Sequence, residues 1–201
     1  MTRTTAFDPH AYLATHFEAS TTVPRRFFEA NADALARASF QMARRFAKGG
    51  RLLVFGSGRS VTDAQHVSVE FVHPVIVGKR ALPAIALTND IAAVLALVRE
   101  VGHDEVFSRQ IQLLGAREDI ALGLSVDGDR CVTRGLEAAR ELGLLTVAFG
   151  AEGLVDTGSD FAFAVPCASP NVVQEVHETA YHVLWETVHV FFDHKGLLEE
   201  P

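Results

Sequence analysis

His66 and Glu70 stand four residues apart, and Gln174, Glu178 and His182 follow one another at the same interval near the other end of the chain. On a helix, that spacing puts side chains on one face. Two imidazoles, a carboxylate and an amide oxygen make a plausible four-ligand set, His66, Glu70, Gln174 and His182, suited to zinc or a neighbouring divalent metal. Taken alone, a His/Glu pair reads more readily as a satisfied core histidine beside a surface glutamate. The second set weakens that reading. Of the nine histidines in the chain, five between His66 and His189 fall on or beside these two helices. A core holding so many imidazoles is costly unless they are paired or ligating. Spacing alone does not bring the two helices together.

The elements that must position these residues are legible in outline. Leu52 to Phe55 is a short apolar run ending at glycine, as a buried parallel strand does. Gly56 and Gly58 allow a tight turn, and Ser60 or Thr62 is expected to cap the helix that carries His66 and Glu70 and closes at Pro74. A strand, a glycine loop and a helix N-terminus in succession are where an α/β protein places a ligand. Further strands are expected at 84–87, 120–124, 144–149 and 161–165, with helices at 91–101, 105–114 and 132–142 and a long terminal helix from Pro170 to about His194. Upstream, Asp8-Pro9 starts a helix, Ser20 to Pro24 interrupts it, and a second helix runs over about 25–48 to the stop at Gly49-Gly50. The alternation predicts a doubly wound, five-stranded parallel sheet flanked by helices. Residues 1–201 read as a single domain, with 1–48 a helical extension and 49–201 the α/β core.

Composition narrows the classes of function. The chain is 48% hydrophobic and 21% charged, which is globular. A formal charge of −7 excludes a sequence-independent grip on nucleic acid, which needs a basic face. The first residues lack a continuous apolar segment of the signal-peptide kind, and no apolar run approaches a bilayer span. Cys131 and Cys167 have no metal-ligand spacing and read as reduced thiols in a cytoplasmic protein. Cys131 opens a helix, so a lowered thiol pKa competes there with a buried, inert thiol. The glycine turn is too short for a dinucleotide fingerprint, and Ser125 lacks the flanks of a nucleophile elbow.

Five stretches together carry a family resemblance: Lys48-Gly-Gly-Arg-Leu-Leu52, Gly56-Ser-Gly-Arg-Ser60, Asp63-Ala-Gln-His66 with Glu70, Val106-Phe-Ser-Arg109, and Gln174-Glu-Val-His177 with His182. From about Ala34 to His194 the chain resembles the phosphoheptose isomerases, sugar-isomerase (SIS) domain proteins that act on sedoheptulose 7-phosphate. The resemblance implies zinc at His66, Glu70, Gln174 and His182. It also implies proton transfers by Glu70 and His182, and a homotetramer whose sites are completed across subunits.

The anion half departs from that family. Its phosphate loop has the form Ser-Thr-Ser-Gly-Asn-Ser, and here the stretch is Ser125-Val-Asp-Gly-Asp-Arg130. Asp127 and Asp129 would face a dianion, and two like charges about 4 Å apart repel by about 4 kcal/mol at an effective dielectric of 20. Arg130 and Arg59 either offset that or pair with the aspartates. Ser57 stands where the family has asparagine, and Asn171 where it has aspartate. The candidate ligand-binding residues are therefore Ser57, Arg59, Ser60, Ser125, Asp127, Asp129, Arg130 and Gln174. Three readings remain open from sequence. One is an aldose–ketose isomerase of a sugar or sugar phosphate using Glu70 and His182. Another is a relative that keeps the metal and binds a different small molecule. The third is a non-catalytic tetrameric adaptor.

Overall fold

The structure, a computed structural model, describes residues 7–74 and 76–198; positions 1–6 of the expected N-terminal extension lie outside them. Helix α1 runs Pro9–Ala47, opened by Asp8, whose carboxylate accepts from the His10 and Ala11 amides. The sequence led us to expect two helices broken at Ser20–Pro24. There is one helix of 39 residues, with Pro24 inside it. An internal proline costs about 3 kcal/mol, through the lost donor and the crowded carbonyl one turn back. Two features offset it. The Thr21 and Thr22 hydroxyls turn back to the Phe17 and Glu18 carbonyls, so their polar atoms do not pull the chain away. Val23 and Phe27 are buried on either side of the proline, Phe27 edge-on to Phe163. Burying a side chain of that size stabilises by roughly 1.5–3 kcal/mol.

After α1 come β1 (Leu52–Gly56), α2 (Ser60–Val72), β2 (Ala84–Ala86), α3 (Ile91–Val101), a 3₁₀ turn at His103–Glu105, α4 (Val106–Leu114), β3 (Ile120–Ser125), α5 (Arg130–Glu141), β4 (Leu145–Ala151), β5 (Phe161–Val165) and α6 (Pro170–Asp193). The strands form one parallel sheet in the order β2-β1-β3-β4-β5, as the alternation of elements predicts. Side chains alternate between two cores. Leu52, Val54, Ile120, Leu122, Val147 and Phe149 face α1, α2 and α6. Leu53, Phe55, Ala121 and Ala148 face α4 and α5. Burial on both faces explains why the strands read as continuous apolar runs.

The strand order jumps at β1, whose chain leaves toward β2, while β3 returns on its other side. The loops that follow β1 and β3 therefore diverge at neighbouring carboxyl ends, the usual ligand crevice of such sheets. The β1–α2 turn is tight. Gly58 has a φ of +57°, and a Cβ on Gly56 would lie 2.4 Å from the Ser60 carbonyl oxygen. So close an approach leaves no room for a side chain at position 56. The expected cap by Ser60 or Thr62 is not formed: Arg59 precedes the helix in helical geometry, the Thr62 hydroxyl donates to its carbonyl, and the Ser60 hydroxyl is buried without a partner.

Two of the clustered histidines are core residues. His189 is anchored by the Trp185 and Arg80 carbonyls. His177 is fully buried against Phe149, and neither ring nitrogen has a hydrogen-bond partner. Burial lowers its pKa from 6.5 to about 4. Below pH 6.5 the unfolded chain binds a proton at this site that the folded chain refuses until about pH 4. Stability is thus complete above 6.5 and falls through that window, by roughly 3 kcal/mol in all at 1.36 kcal/mol per unit. Urea unfolding of the wild type and of His177→Leu between pH 7 and 4.5 should show the steeper loss in the wild type. Parallel pH profiles would mean that His177 is not buried as a neutral ring.

Candidate functional site

The sheet brings α2 and α6 together, and with them the residues singled out by spacing. His66 lies in the middle of α2 and Glu70 one turn on; His182 is on α6. One ligand atom from each of His66, Glu70 and His182 lies within 4.8 Å of the others, and all three side chains are half-buried. His66 Nε2 is 3.3 Å from Glu70 Oε1, and the His66 and His182 rings meet edge to face with centroids 5.0 Å apart. A tetrahedral centre with bonds of about 2.0–2.2 Å needs donors roughly 3.4 Å apart, within small side-chain adjustments of this arrangement. Two imidazoles and a carboxylate, partly shielded from water, fit a borderline-soft divalent cation such as zinc.

Gln174, the expected fourth ligand, sits next to this group with its amide engaged. Its Nε2 donates to both oxygens of Asp63, at 3.2 and 3.1 Å, and to the Arg59 carbonyl at 3.3 Å, which leaves Oε1 as its free donor atom toward a cation. Asp63 is a residue that the spacing argument overlooked, although it lies three positions before His66 on the same helix face. Burial raises its carboxyl pKa, opposed by the Gln174 hydrogen bond, with the Glu178 charge adding to the rise and His66 and Arg59 opposing it.

Two further residues touch the group from α6. The Tyr181 hydroxyl is 2.9 Å from His66 Nδ1, whereas the Glu178 carboxylate, more exposed, stays 3.9 Å from that nitrogen. Burial, together with the charges of Asp63, Glu178 and Glu70, pushes the Tyr181 hydroxyl above its ordinary range, so it remains protonated. The Trp185 indole donates to the Glu70 carbonyl at 2.8 Å. Tyr181, next to His182 in the sequence, is not among the residues that spacing singles out.

The residues expected to hold an anion are placed at the carboxyl ends of β1 and β3 but are largely engaged with one another. Ser125 is buried, and its hydroxyl accepts from the Asp129 amide at 2.8 Å and approaches the Asp129 carboxylate at 3.3 Å. Arg130 is mostly exposed and pairs with Asp104 at 3.3 Å; Arg59 donates to Asn171 at 2.9 Å. Neither arginine pairs with Asp127 or Asp129 among these contacts. Ser57 lines a cavity of about 180 Å³ with Thr88, His103 and Phe107, and Asp127 lines a different one of about 370 Å³ with Glu152 and Cys167. Ser60 is buried at the head of α2. A cavity of about 530 Å³ between β2, α3 and α4 holds none of the metal-ligating candidates. Cys131 is buried, which raises its thiol pKa and resolves the two readings in favour of an inert thiol.

Comparisons with known proteins agree with this fold. Residues 15–151 match the SIS domain model. The chain is 36% identical over 176 residues to the phosphoheptose isomerase of Thermodesulfovibrio yellowstonii, covering 86% of this chain and 87% of that one. It is 39% identical over 161 residues to the phosphoheptose isomerase of Desulfovibrio desulfuricans, covering 79% and 77%. Its fold matches the structure of a phosphoheptose isomerase from Francisella tularensis with a TM-score of 0.84 at 26% identity, over 92% of this chain and all of that one. With a five-stranded parallel sheet of the same architecture and relatives at this identity over most of its length, the chain belongs to the phosphoheptose isomerase family of SIS-domain proteins.

Proposed function

We propose that the chain is an aldose–ketose isomerase of a sugar phosphate, with a divalent metal, zinc by its donor set, held by His66, Glu70 and His182 and completed by Gln174. The observation that carries this reading is the meeting of two helix-spaced sets, His66/Glu70 and His182, at one half-buried centre. The names of the relatives supply the substrate class.

Isomerisation requires a base that takes a proton from the carbon beside a carbonyl and an acid that delivers one to oxygen. Glu70 is suited to the first role, since its carboxylate is 14% exposed and faces the centre. His182 on the facing helix is suited to the second. A bound cation contributes charge stabilisation of a developing oxyanion. A carboxylate that ligates tightly is a poor base, so Glu70 serves both roles only by exchanging between them. Asp63 and Gln174, tied to each other at the edge of the group, lie where hydroxyls of a bound sugar would find both donor and acceptor.

Conversion of sedoheptulose 7-phosphate, followed by NMR, tests the proposal. Wild type should turn the sugar over, chelation should abolish activity, and Glu70→Gln should lower kcat by about 10²–10⁴-fold, the range for a positioned acid or base. An inactive wild type, with or without added zinc, would refute it.

The β3–α5 loop should make the phosphate grip weak. Asp127 and Asp129 replace hydroxyl and amide donors, and each hydrogen bond lost to a charged group costs roughly 1.5–3 kcal/mol. Calorimetry should find the triple variant Asp127→Ser, Asp129→Asn, Arg130→Ser binding the sugar at least about tenfold more tightly, which corresponds to about 1.4 kcal/mol. Tighter binding by the wild type would show that the arginines rebuild the anion site.

Assembly as a homotetramer is part of the same proposal. Tyr12, Leu13 and Phe17 are each more than half exposed on α1, and α3, though strongly apolar, buries none of its residues within the chain. Such faces are natural interfaces between copies. Light scattering should give about four times the 21.8 kDa chain mass. A monomer at micromolar concentration would contradict it.

A further inference from the structure

We propose that Tyr181 and Trp185 are positioning residues for the His66/Glu70 pair, Tyr181 by fixing the His66 ring and Trp185 by anchoring the turn of α2 that carries Glu70. The role in metal binding rests on the reading above; the hydrogen bonds on which it is built do not.

The two contacts repeat in register. His66 and Glu70 are one turn apart on α2, Tyr181 and Trp185 are one turn apart on α6, and each α6 residue bonds its counterpart, at 2.9 and 2.8 Å. Both α6 side chains are almost fully buried. The Tyr181 ring packs against both imidazoles, its centroid 5.5 Å from that of His66 and 4.9 Å from that of His182. The ring that holds one candidate ligand therefore also touches the other.

The chemistry at each contact is specific. His66 Nε2 points at Glu70, so Nδ1 is the nitrogen whose partner decides the tautomer. For Nε2 to offer a lone pair to a cation, the proton must sit on Nδ1 and be accepted there. A tyrosine hydroxyl can accept it, and in the absence of a cation the same hydroxyl rotates to donate to Nδ1 while Nε2–H faces the Glu70 carboxylate. Phenylalanine can do neither. Trp185 solves a different problem. The carbonyl of Glu70 would ordinarily be bonded by the amide four residues on, which is Pro74 and has no N–H. Indole nitrogen is only a donor, and it supplies the missing bond. The neighbouring carbonyls of this helix end are also satisfied, Val69 by the His73 amide and Phe71 by the Leu82 amide. The last turn of α2, and Glu70 with it, is thereby held to α6 rather than left to fray.

Tyr181→Phe and Trp185→Phe keep aromatic rings in place and remove one hydrogen bond each. Zinc affinity of the full chain, measured by chelator competition, should fall about 10–100-fold in Tyr181→Phe, the usual effect of losing the partner of a ligating histidine, and measurably in Trp185→Phe. Melting of the metal-free proteins checks that the variants are folded. A residue that only stabilised the fold would lower that melting temperature and leave the affinity of the folded protein unchanged. In the metal-free state, ¹⁵N NMR should show His66 as one tautomer in the wild type and as a mixture in Tyr181→Phe. Zinc affinity of folded Tyr181→Phe within twofold of wild type, or an unchanged His66 tautomer, would overturn the positioning role of Tyr181. Unchanged affinity in folded Trp185→Phe would overturn that of Trp185. A wild type that binds no zinc but shows the tautomer change would overturn the metal reading while leaving the Tyr181 contact in place.

Discussion

Pro74 deprives the Glu70 carbonyl of its intrahelical donor, and the Trp185 indole, 115 residues later, replaces it. Much of the site's architecture depends on this docking of α2 against α6. It sets the two helices in register, so that side chains one turn apart on each face one another in pairs. It brings a histidine from the far end of the chain to a histidine and a glutamate near its middle. The sheet makes the docking possible, because β1 delivers α2 and β5 delivers α6 to the same face, where α1 covers them both.

Helix α1 shows how far packing can override local preference. A proline, two threonines and a valine in succession are poor helix formers, and in a peptide they would end the helix. Here the helix continues because its far half packs against α6 and β5, burying Leu35, Met42 and Phe46 in the same core as Val23 and Phe27. Only part of each turn is covered, however. The exposed aromatic and aliphatic residues near its start, and Ile91 and Leu95 of α3 at the other edge of the sheet, leave two apolar faces that the other described residues do not cover.

The two halves of the ligand crevice differ in what their side chains do. At the α2–α6 side, the polar groups converge: histidines, Glu70, Asp63, Gln174 and Tyr181 are linked by short contacts and partly shielded from water. At the β3–α5 side, the polar groups turn to one another or to solvent, Asp129 to Ser125 and Arg130 to Asp104. A loop built this way retains the helix N-terminus and its dipole but offers carboxylates beside it. The polar groups of the two sides are thus differently engaged, converging at one and paired or turned to solvent at the other.

The sequence by itself determined the sheet, its parallel sense and the helical faces of His66, Glu70 and His182. These depend on short-range periodicity, on apolar runs of strand length, glycine turns and i, i+4 spacing. It also carried, through five matched stretches, the family to which the chain belongs. Only the tertiary structure decided that α1 is continuous, since the energy that holds Pro24 in a helix comes from contacts with β5 and α6. The same is true of the Ser60 hydroxyl, which is buried without a partner rather than capping α2, and of His177, one of the histidines counted on the two helices, which burial makes a neutral core ring. Tyr181 and Trp185 were not singled out from the sequence for the same reason. Their significance is a matter of which groups they meet across more than a hundred residues of chain, and no local pattern records that.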